Sequence, residues 1–106
     1  MDDVFAVLSD PTRRRILEAL RPGERTVGEL VDRVGMHQPG VSRHLRVLLD
    51  AGLVKVRKDA QRRRYSLVPG PLQELDAWIA HYRGLWDARF GKLANHLAKR
   101  KRSDNP

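Results

Sequence analysis

The sequence of 106 residues contains no cysteine. That absence excludes disulfide bonds, thiolate metal sites, cysteine nucleophiles and thiol-based redox sensing. Long apolar runs are missing too, because no stretch reaches the roughly 18 apolar residues of a membrane-spanning helix. The acidic start Met1-Asp2-Asp3 does not resemble a secretory signal. The sequence therefore predicts a cytoplasmic protein, and its length fits a single domain with one modest core.

Catalytic motifs are also absent. The sequence has no glycine-rich phosphate loop, no nucleophile elbow and no zinc-binding pair of histidines on a helix. The carboxylates are scattered over capping and helix-surface positions: Glu18, Glu29, Asp32, Glu74 and Asp76. The sequence predicts that the protein is not an enzyme and needs no cofactor.

Positive charge is abundant and unevenly placed. Lys and Arg number 21 against 13 Asp and Glu, a formal charge of +8, and residues 37–68 hold eight basic and two acidic side chains, or +6 of that total. A cluster of this kind is typical of proteins that bind polyanions, because each cation placed on a phosphate releases condensed counterions. Nucleic acid is the favoured partner, ahead of an ordinary solvated surface and of an acidic membrane.

Apolar residues at helical spacing predict five helices. Four of them span residues 2–8, 11–20, 38–51 and 71–100, and the third in chain order begins at residue 27 and has little more than two turns. Asp10 with Pro11 is a typical helix start, and Thr26 with Glu29 forms a capping box. Gly52 is a candidate C-terminal cap for the fourth helix. Residues 101–106 are left as a charged tail.

After Gly52 the apolar period changes from helical to alternating. Val54 and Val56 are expected to face inward, with Lys55 and Arg57 facing outward, and the polar turn-like stretch 58–62 joins them to a second strand. We call residues 53–68 the wing. The predicted fold is mainly α with a small β-hairpin, in one domain over residues 1–100.

The third and fourth helices, 27–51, are joined by a short break at Gly35 and followed by a basic hairpin, which is the plan of a winged helix-turn-helix. If Val41, Leu45 and Leu48 face the core, the polar residues between them face outward. Gln suits adenine edges, Arg suits guanine edges, and Ser suits phosphate or either base. The predicted contacts from this helix to duplex DNA are His37, Gln38, Pro39, Ser42, Arg43 and Arg46.

The wing supplies a second set of predicted DNA contacts, which would hold phosphates or enter a minor groove. They are Arg57, Lys58, Gln61, Arg62, Arg63 and Arg64. For Arg64 the alternative role is to brace the hairpin. An ordinary solvated polar surface is the competing interpretation of both sets.

Three segments resemble the ArsR (arsenical-resistance-repressor) family of bacterial transcription regulators: residues 9–17, 38–45 and 51–54. The resemblance covers about residues 2–68, and residues 71–78 resemble a branch without metal-binding motifs. It implies a homodimeric winged-helix repressor, usually released from its operator by an effector, with the first and last helices at the dimer interface. The interface residues so predicted are Val4, Phe5, Leu8, Leu75, Trp78, Ile79, Tyr82, Trp86, Phe90 and Leu93.

Two residues depart from the family pattern. His37 stands where a Ser often caps the recognition helix, so we expect either a weaker cap or a phosphate contact from His37 itself. Gly40 stands where Ala is common, which is expected to loosen the first turn by up to about 1 kcal/mol.

The family's metal sites have no counterpart here. The stretch 27–32 lacks the Cys-x-Cys pair, Trp78 follows Asp76 where a His is needed, and Lys99 follows His96 where an acidic residue or His is needed. Asp76 and His81 are separated by about 140° around a helix and cannot chelate from one face. We expect no metal; His81 and His96 are interpreted as surface or interface residues.

The favoured function is therefore a sequence-specific transcriptional regulator, a homodimeric repressor of a palindromic operator. The alternatives are a protein-interaction module that uses the aromatic residues of the last helix, and a non-specific architectural DNA binder. A small-molecule effector, the operator sequence and the direction of regulation are left open by the sequence.

Overall fold

The computed structural model describes the backbone of residues 2–104 and the side chains of residues 3–87. Its elements are α1 (Asp2–Leu8), α2 (Pro11–Ala19), β1 (Arg25–Thr26), α3 (Val27–Val34), α4 (Gln38–Asp50), β2 (Val54–Asp59), β3 (Arg62–Leu67) and α5 (Gly70–Asp104). The predicted fold class, five helices with a small sheet, is confirmed. The chain divides into two compact units, one up to Leu75 and one from Asp76 onward.

The helix starts form as their sequences predict. The Asp10 carboxylate accepts hydrogen bonds from the backbone N–H of Thr12 at 2.8 Å and of Arg13 at 3.1 Å, with Pro11 in the first turn of α2. At α3, Thr26 Oγ1 accepts from the Glu29 N–H at 3.2 Å, and Glu29 Oε1 accepts from the Thr26 N–H at 3.1 Å. Both caps satisfy donors that a helix start leaves without partners.

One apolar core holds the first unit together. Val41, Leu45 and Leu48 of α4 are at most 1% exposed, so the inward stripe predicted for this helix is confirmed. They pack in one cluster with Ile16, Leu17, Leu20, Leu30, Val34, Leu53, Val54 and Tyr65. This packing fixes which side of α4 faces outward.

The sheet has three antiparallel strands in the order β1-β3-β2. Strand β1 was not predicted, since its two residues are too few to show an alternating pattern and Thr26 already serves as the cap of α3. Arg25 pairs with Tyr65 and Thr26 pairs with Arg64. Through β1, the wing is attached to the start of α3.

The wing strands are longer than predicted, because pairing continues from Val54 opposite Leu67 to Asp59 opposite Arg62. Only Ala60 and Gln61 remain as the turn, and Ala60 has a φ of +56°. Val56 lies opposite the buried Tyr65 and so faces the predicted inward side, but its side chain is 41% exposed, so the burial that this position implied is not reached. The buried cluster includes Val54 and Tyr65 but does not extend to Val56.

The last helix also differs from prediction. It continues to Asp104 instead of ending at residue 100, so the separate tail expected from 101 is wrong up to residue 104. Lys and Arg are good helix formers, and cations near a helix C-terminus are favoured by the helix dipole. Within the described residues, no helix is long and apolar enough to cross a membrane.

Candidate nucleic-acid interface

The outward side of α4 carries the polar residues that the sequence analysis selected. Gln38, Pro39, Ser42, Arg43 and Arg46 are all exposed. Arg46 Nε lies 3.5 Å from Asp50 Oδ1, and both side chains are at least 70% exposed. An ion pair this exposed is weak and exchanges readily with water or another anion.

The wing separates its basic residues into two faces, since directly opposed residues of paired strands point to the same side. Lys58 lies opposite Arg63, and Arg57 lies opposite Arg64. The second pair is neutralised: Arg64 Nε donates to Asp59 Oδ2 at 2.8 Å, and Arg57 donates to the Glu24 carboxylate. The contact to Asp59 favours the bracing role for Arg64.

Three other wing cations have no ion pair in the described part of the chain, although Arg62 lies opposite Asp59, which Arg64 holds. Lys58, Arg62 and Arg63 are exposed, and within residues 3–87 none of them makes an ion pair. Like charges opposed across strands destabilise a hairpin. Binding of an anion from outside the chain next to Lys58 and Arg63 would relieve this repulsion.

A cleft of about 570 Å³ joins the two sets of predicted DNA contacts. Gln38 of α4 lies on one side of it, and Gln61, Arg62 and Arg63 of the wing lie on another. The first residues of α3 and the carboxylates of Glu29 and Asp32 complete the lining. The structure thus brings together residues that are more than 20 positions apart in the sequence.

Known proteins resemble this chain in sequence and in fold. A helix-turn-helix domain model matches residues 8–57. Transcriptional repressor SdpR of Bacillus subtilis is 34% identical over 82 residues, which cover 77% of this chain and 91% of that protein. The crystal structure of an ArsR family transcriptional regulator superposes with a TM-score of 0.70 at 33% identity, covering 83% of this chain and 91% of that one. The chain belongs to the ArsR family of winged helix-turn-helix regulators.

ArsR-family proteins are DNA-binding transcriptional regulators and not enzymes, in agreement with the prediction from missing catalytic motifs. A third comparison is the homodimeric winged helix-turn-helix DNA-binding domain of a possible ArsR-family regulator from Mycobacterium bovis. It superposes with a TM-score of 0.64 at 28% identity, covering 77% of this chain and 76% of that one.

The two departures from the ArsR pattern have different outcomes. His37 adopts cap geometry, with φ −67° and ψ 156°, but its side chain makes no capping hydrogen bond, in agreement with the first alternative; a phosphate contact from His37 stays a prediction. At Gly40, a Cβ would lie 2.8 Å from Sδ and 3.1 Å from Cγ of Met36, so a larger residue would require the flexible Met36 side chain to shift.

The α5 surface of this ArsR-family chain carries exposed aromatic residues. Trp78 is 38% exposed, Tyr82 44% and Trp86 38%, and with Ile79 and Leu85 they line an apolar groove of about 300 Å³. The predicted interface residues Phe90 and Leu93, and also His96, lie outside the residues whose side chains are described.

The remaining predicted interface residues differ in accessibility. Phe5 is 43% exposed, whereas Leu8 and Leu75 are half-buried. Val4 is 4% exposed in the single chain and offers almost no surface to a partner. His81 is exposed, and among the described residues no three His, Asp or Glu side chains lie close enough to share a metal ion.

Four arginines near the start of the chain have a structural role that sequence reasoning missed. They donate to backbone carbonyls at the ends of α1, α3 and α2, which a helix C-terminus leaves without partners. The bonds run from Arg13 to Val7 and Ala6, from Arg14 to Leu8, from Arg15 to Val34 and from Arg25 to Ala19. For Arg13, Arg14 and Arg25 the sequence contains a signal, since each follows a predicted helix end within a few residues. The contact of Arg15 with α3 depends on the tertiary packing.

Proposed function

We propose that this ArsR-family regulator is a homodimeric repressor that binds a palindromic operator through α4 and the wing. The observation that carries the proposal is the cleft shared by Gln38 and the wing residues Gln61, Arg62 and Arg63. A duplex with its major groove on α4 would bring its backbone toward the wing tip. One binding event would then engage both sets of residues.

In this proposal α4 reads the bases. Val41, Leu45 and Leu48 anchor the helix on its inner side, which leaves Gln38, Ser42 and Arg43 pointing away from the core. Arg43 is suited to a guanine edge and Gln38 to an adenine edge. Arg46 contributes once it leaves Asp50, an exchange that the exposure of both side chains makes inexpensive.

The wing holds the phosphate backbone. Lys58, Arg62 and Arg63 have no carboxylate partner in the described part of the chain, so their charge is available to DNA. Arg64 braces the hairpin through Asp59 instead. These contacts supply affinity and register but carry no sequence information.

The aromatic surface of α5 supports dimerisation. Three exposed aromatic side chains on one helix form the kind of apolar patch that marks a protein interface. A twofold dimer would place its two recognition helices about 34 Å apart, in successive major grooves. An operator with two inverted half-sites follows from that symmetry.

The test is selection of bound duplexes from a random pool, repeated with cell extract to detect a releasing factor, together with sedimentation of the free protein. We expect an imperfect palindrome and a dimer at micromolar concentration. Binding without preference over random duplex would identify an architectural DNA binder instead. A monomer that does not bind duplex but acquires a different protein partner would favour an interaction module.

A further inference from the structure

Glu24 holds one of the wing arginines from outside the wing. Arg57 Nη2 donates to Glu24 Oε1 at 2.6 Å, and Arg57 Nε donates to Glu24 Oε2 at 3.1 Å. Glu24 precedes β1, and it is separated from Arg57 by 33 positions. The pair is therefore a tertiary contact that occupies two of the donors on the edge of the guanidinium.

The pair is accessible to solvent. The Arg57 side chain is 55% exposed and that of Glu24 is 38% exposed. Exposed ion pairs are weak, since water and salt compete with them. A phosphate arriving at the wing can therefore displace the carboxylate, but the protein has to give up this contact when it does.

No other wing cation makes an ion pair with a carboxylate outside the wing among residues 3–87. Arg64 is paired within the hairpin to Asp59, whereas Lys58 and Arg62 make no ion pair in the part of the chain that the structure describes. Among the side chains that the structure describes, Arg57 is thus the wing cation that is ion-paired to a residue outside the wing. The hydrogen bond from Arg57 lowers the pKa of Glu24 below its ordinary value, which agrees with a contact between charged groups.

We propose that Glu24 sets the affinity for DNA by competing with operator phosphates for Arg57. The inference rests on the proposed function, because it requires the wing to contact DNA. A carboxylate and a phosphate accept from the same N–H donors of arginine; while Glu24 holds Nε and Nη2, a phosphate is left with the Nη1 side of Arg57 and with a charge that Glu24 already neutralises. Binding then either leaves Arg57 on Glu24, with one fewer counterion released, or breaks the pair.

The test is DNA binding by Glu24→Gln at several salt concentrations. Glu18→Gln is the matched control, because Glu18 is an exposed carboxylate on α2 and its loss changes the net charge equally. If the freed Arg57 gains one phosphate, the salt slope steepens by about 0.9 per protomer. For a dimer the gain in affinity is then about 12-fold larger at 50 mM than at 200 mM salt, which is fourfold raised to the power 1.8. Glu18→Gln should change the slope far less.

A second variant shows whether Glu24 acts through Arg57. In an Arg57→Gln background, Glu24→Gln should give no gain, and Arg57→Gln alone should weaken binding less than Arg62→Gln does. Unchanged or weaker binding by folded Glu24→Gln would overturn the proposal, and weaker binding would show that Glu24 positions Arg57 for DNA. If Glu24→Gln does not fold, the comparison of the two arginine variants decides. A loss of DNA affinity in Arg57→Gln equal to that in Arg62→Gln would also overturn the proposal.

A failure of the proposed function would give a different result from a failure of the Glu24 proposal. If Arg62→Gln leaves the salt slope unchanged, the wing does not contact phosphate and the wing part of the proposed function is wrong. If Arg62→Gln lowers the slope but Glu24→Gln neither steepens it nor tightens binding, only the role of Glu24 is refuted.

Discussion

Replacing Arg63 or Arg64 by glutamine removes the same charge from neighbouring positions, yet we expect very different effects on DNA binding. Arg63 is exposed opposite Lys58, and no carboxylate pairs with it in the described part of the chain. Arg64 donates to Asp59 at 2.8 Å, and its side chain is 28% exposed. Only the first arginine is available to a phosphate.

The expected magnitude follows from the number of contacts. With Lys58, Arg62 and Arg63 on phosphates in each protomer, a dimer makes six wing contacts and has a wing contribution to the salt slope of about −5. Arg63→Gln removes two of these contacts, so the slope becomes shallower by about 1.8. The loss of affinity should then be about 12-fold greater at 50 mM than at 200 mM salt. Arg64→Gln should change the slope by less than half as much.

The assay is fluorescence anisotropy of a labelled operator duplex at four salt concentrations from 50 to 200 mM. A thermal melt of each variant checks that the wing remains folded. Equal changes of slope for the two variants would refute the distinction between available and braced arginines. No change for Arg63→Gln would remove Arg63 from the phosphate-binding set.

Four further predictions follow from the same structure. Arg43→Ala should lose about 1–3 kcal/mol of discrimination at one or two base pairs and little elsewhere, measured by competition with single-base operator variants; a uniform loss would place Arg43 on the backbone instead. Leu45→Ala, at a position 1% exposed, should lower the free energy of unfolding by about 2–5 kcal/mol in a urea titration, and a loss below about 1 kcal/mol would contradict the core assignment. Trp86→Glu should shift the sedimenting species from dimer to monomer, whereas an unchanged dimer would remove the α5 groove from the interface. Hydrogen bonds and neighbouring cations lower the pKa of four carboxyls in the folded state: Asp10, Glu24, Glu29 and Asp59. The unfolded state therefore binds more protons as the pH falls, and these groups stabilise the fold above their ordinary pKa values of 3.8 for Asp and 4.5 for Glu. Stability in urea should therefore fall from pH 6 to pH 3, and a flat profile would contradict this.

Local signals predicted the helical part of the fold well. The inward stripe Val41, Leu45 and Leu48 follows from periodicity, because one helix face has a single environment along its length. The caps at Asp10 and Thr26 are set by residues two or three positions away, so the sequence contains all the information that they need.

The features that were missed depend on distant contacts. Whether Val56 is buried depends on how far the core extends beneath the sheet, and alternation alone does not specify that distance. The pairing of Arg57 with Glu24 joins segments that only the three-stranded sheet brings together. Charge counting located the basic wing as a region but could not divide its arginines into paired and available ones.

The three arginines that begin α2 show why a basic run is an ambiguous signature. Successive residues of a helix point about 100° apart, so one turn of α2 reaches the end of α1 through Arg13 and Arg14 and the end of α3 through Arg15. Lysine at these positions would keep the charge but lose the planar fork that lets Arg13 contact two carbonyls at once. A scan for nucleic-acid-binding segments would select this run first among the early residues. In this chain the three arginines instead donate hydrogen bonds to the last carbonyls of neighbouring helices.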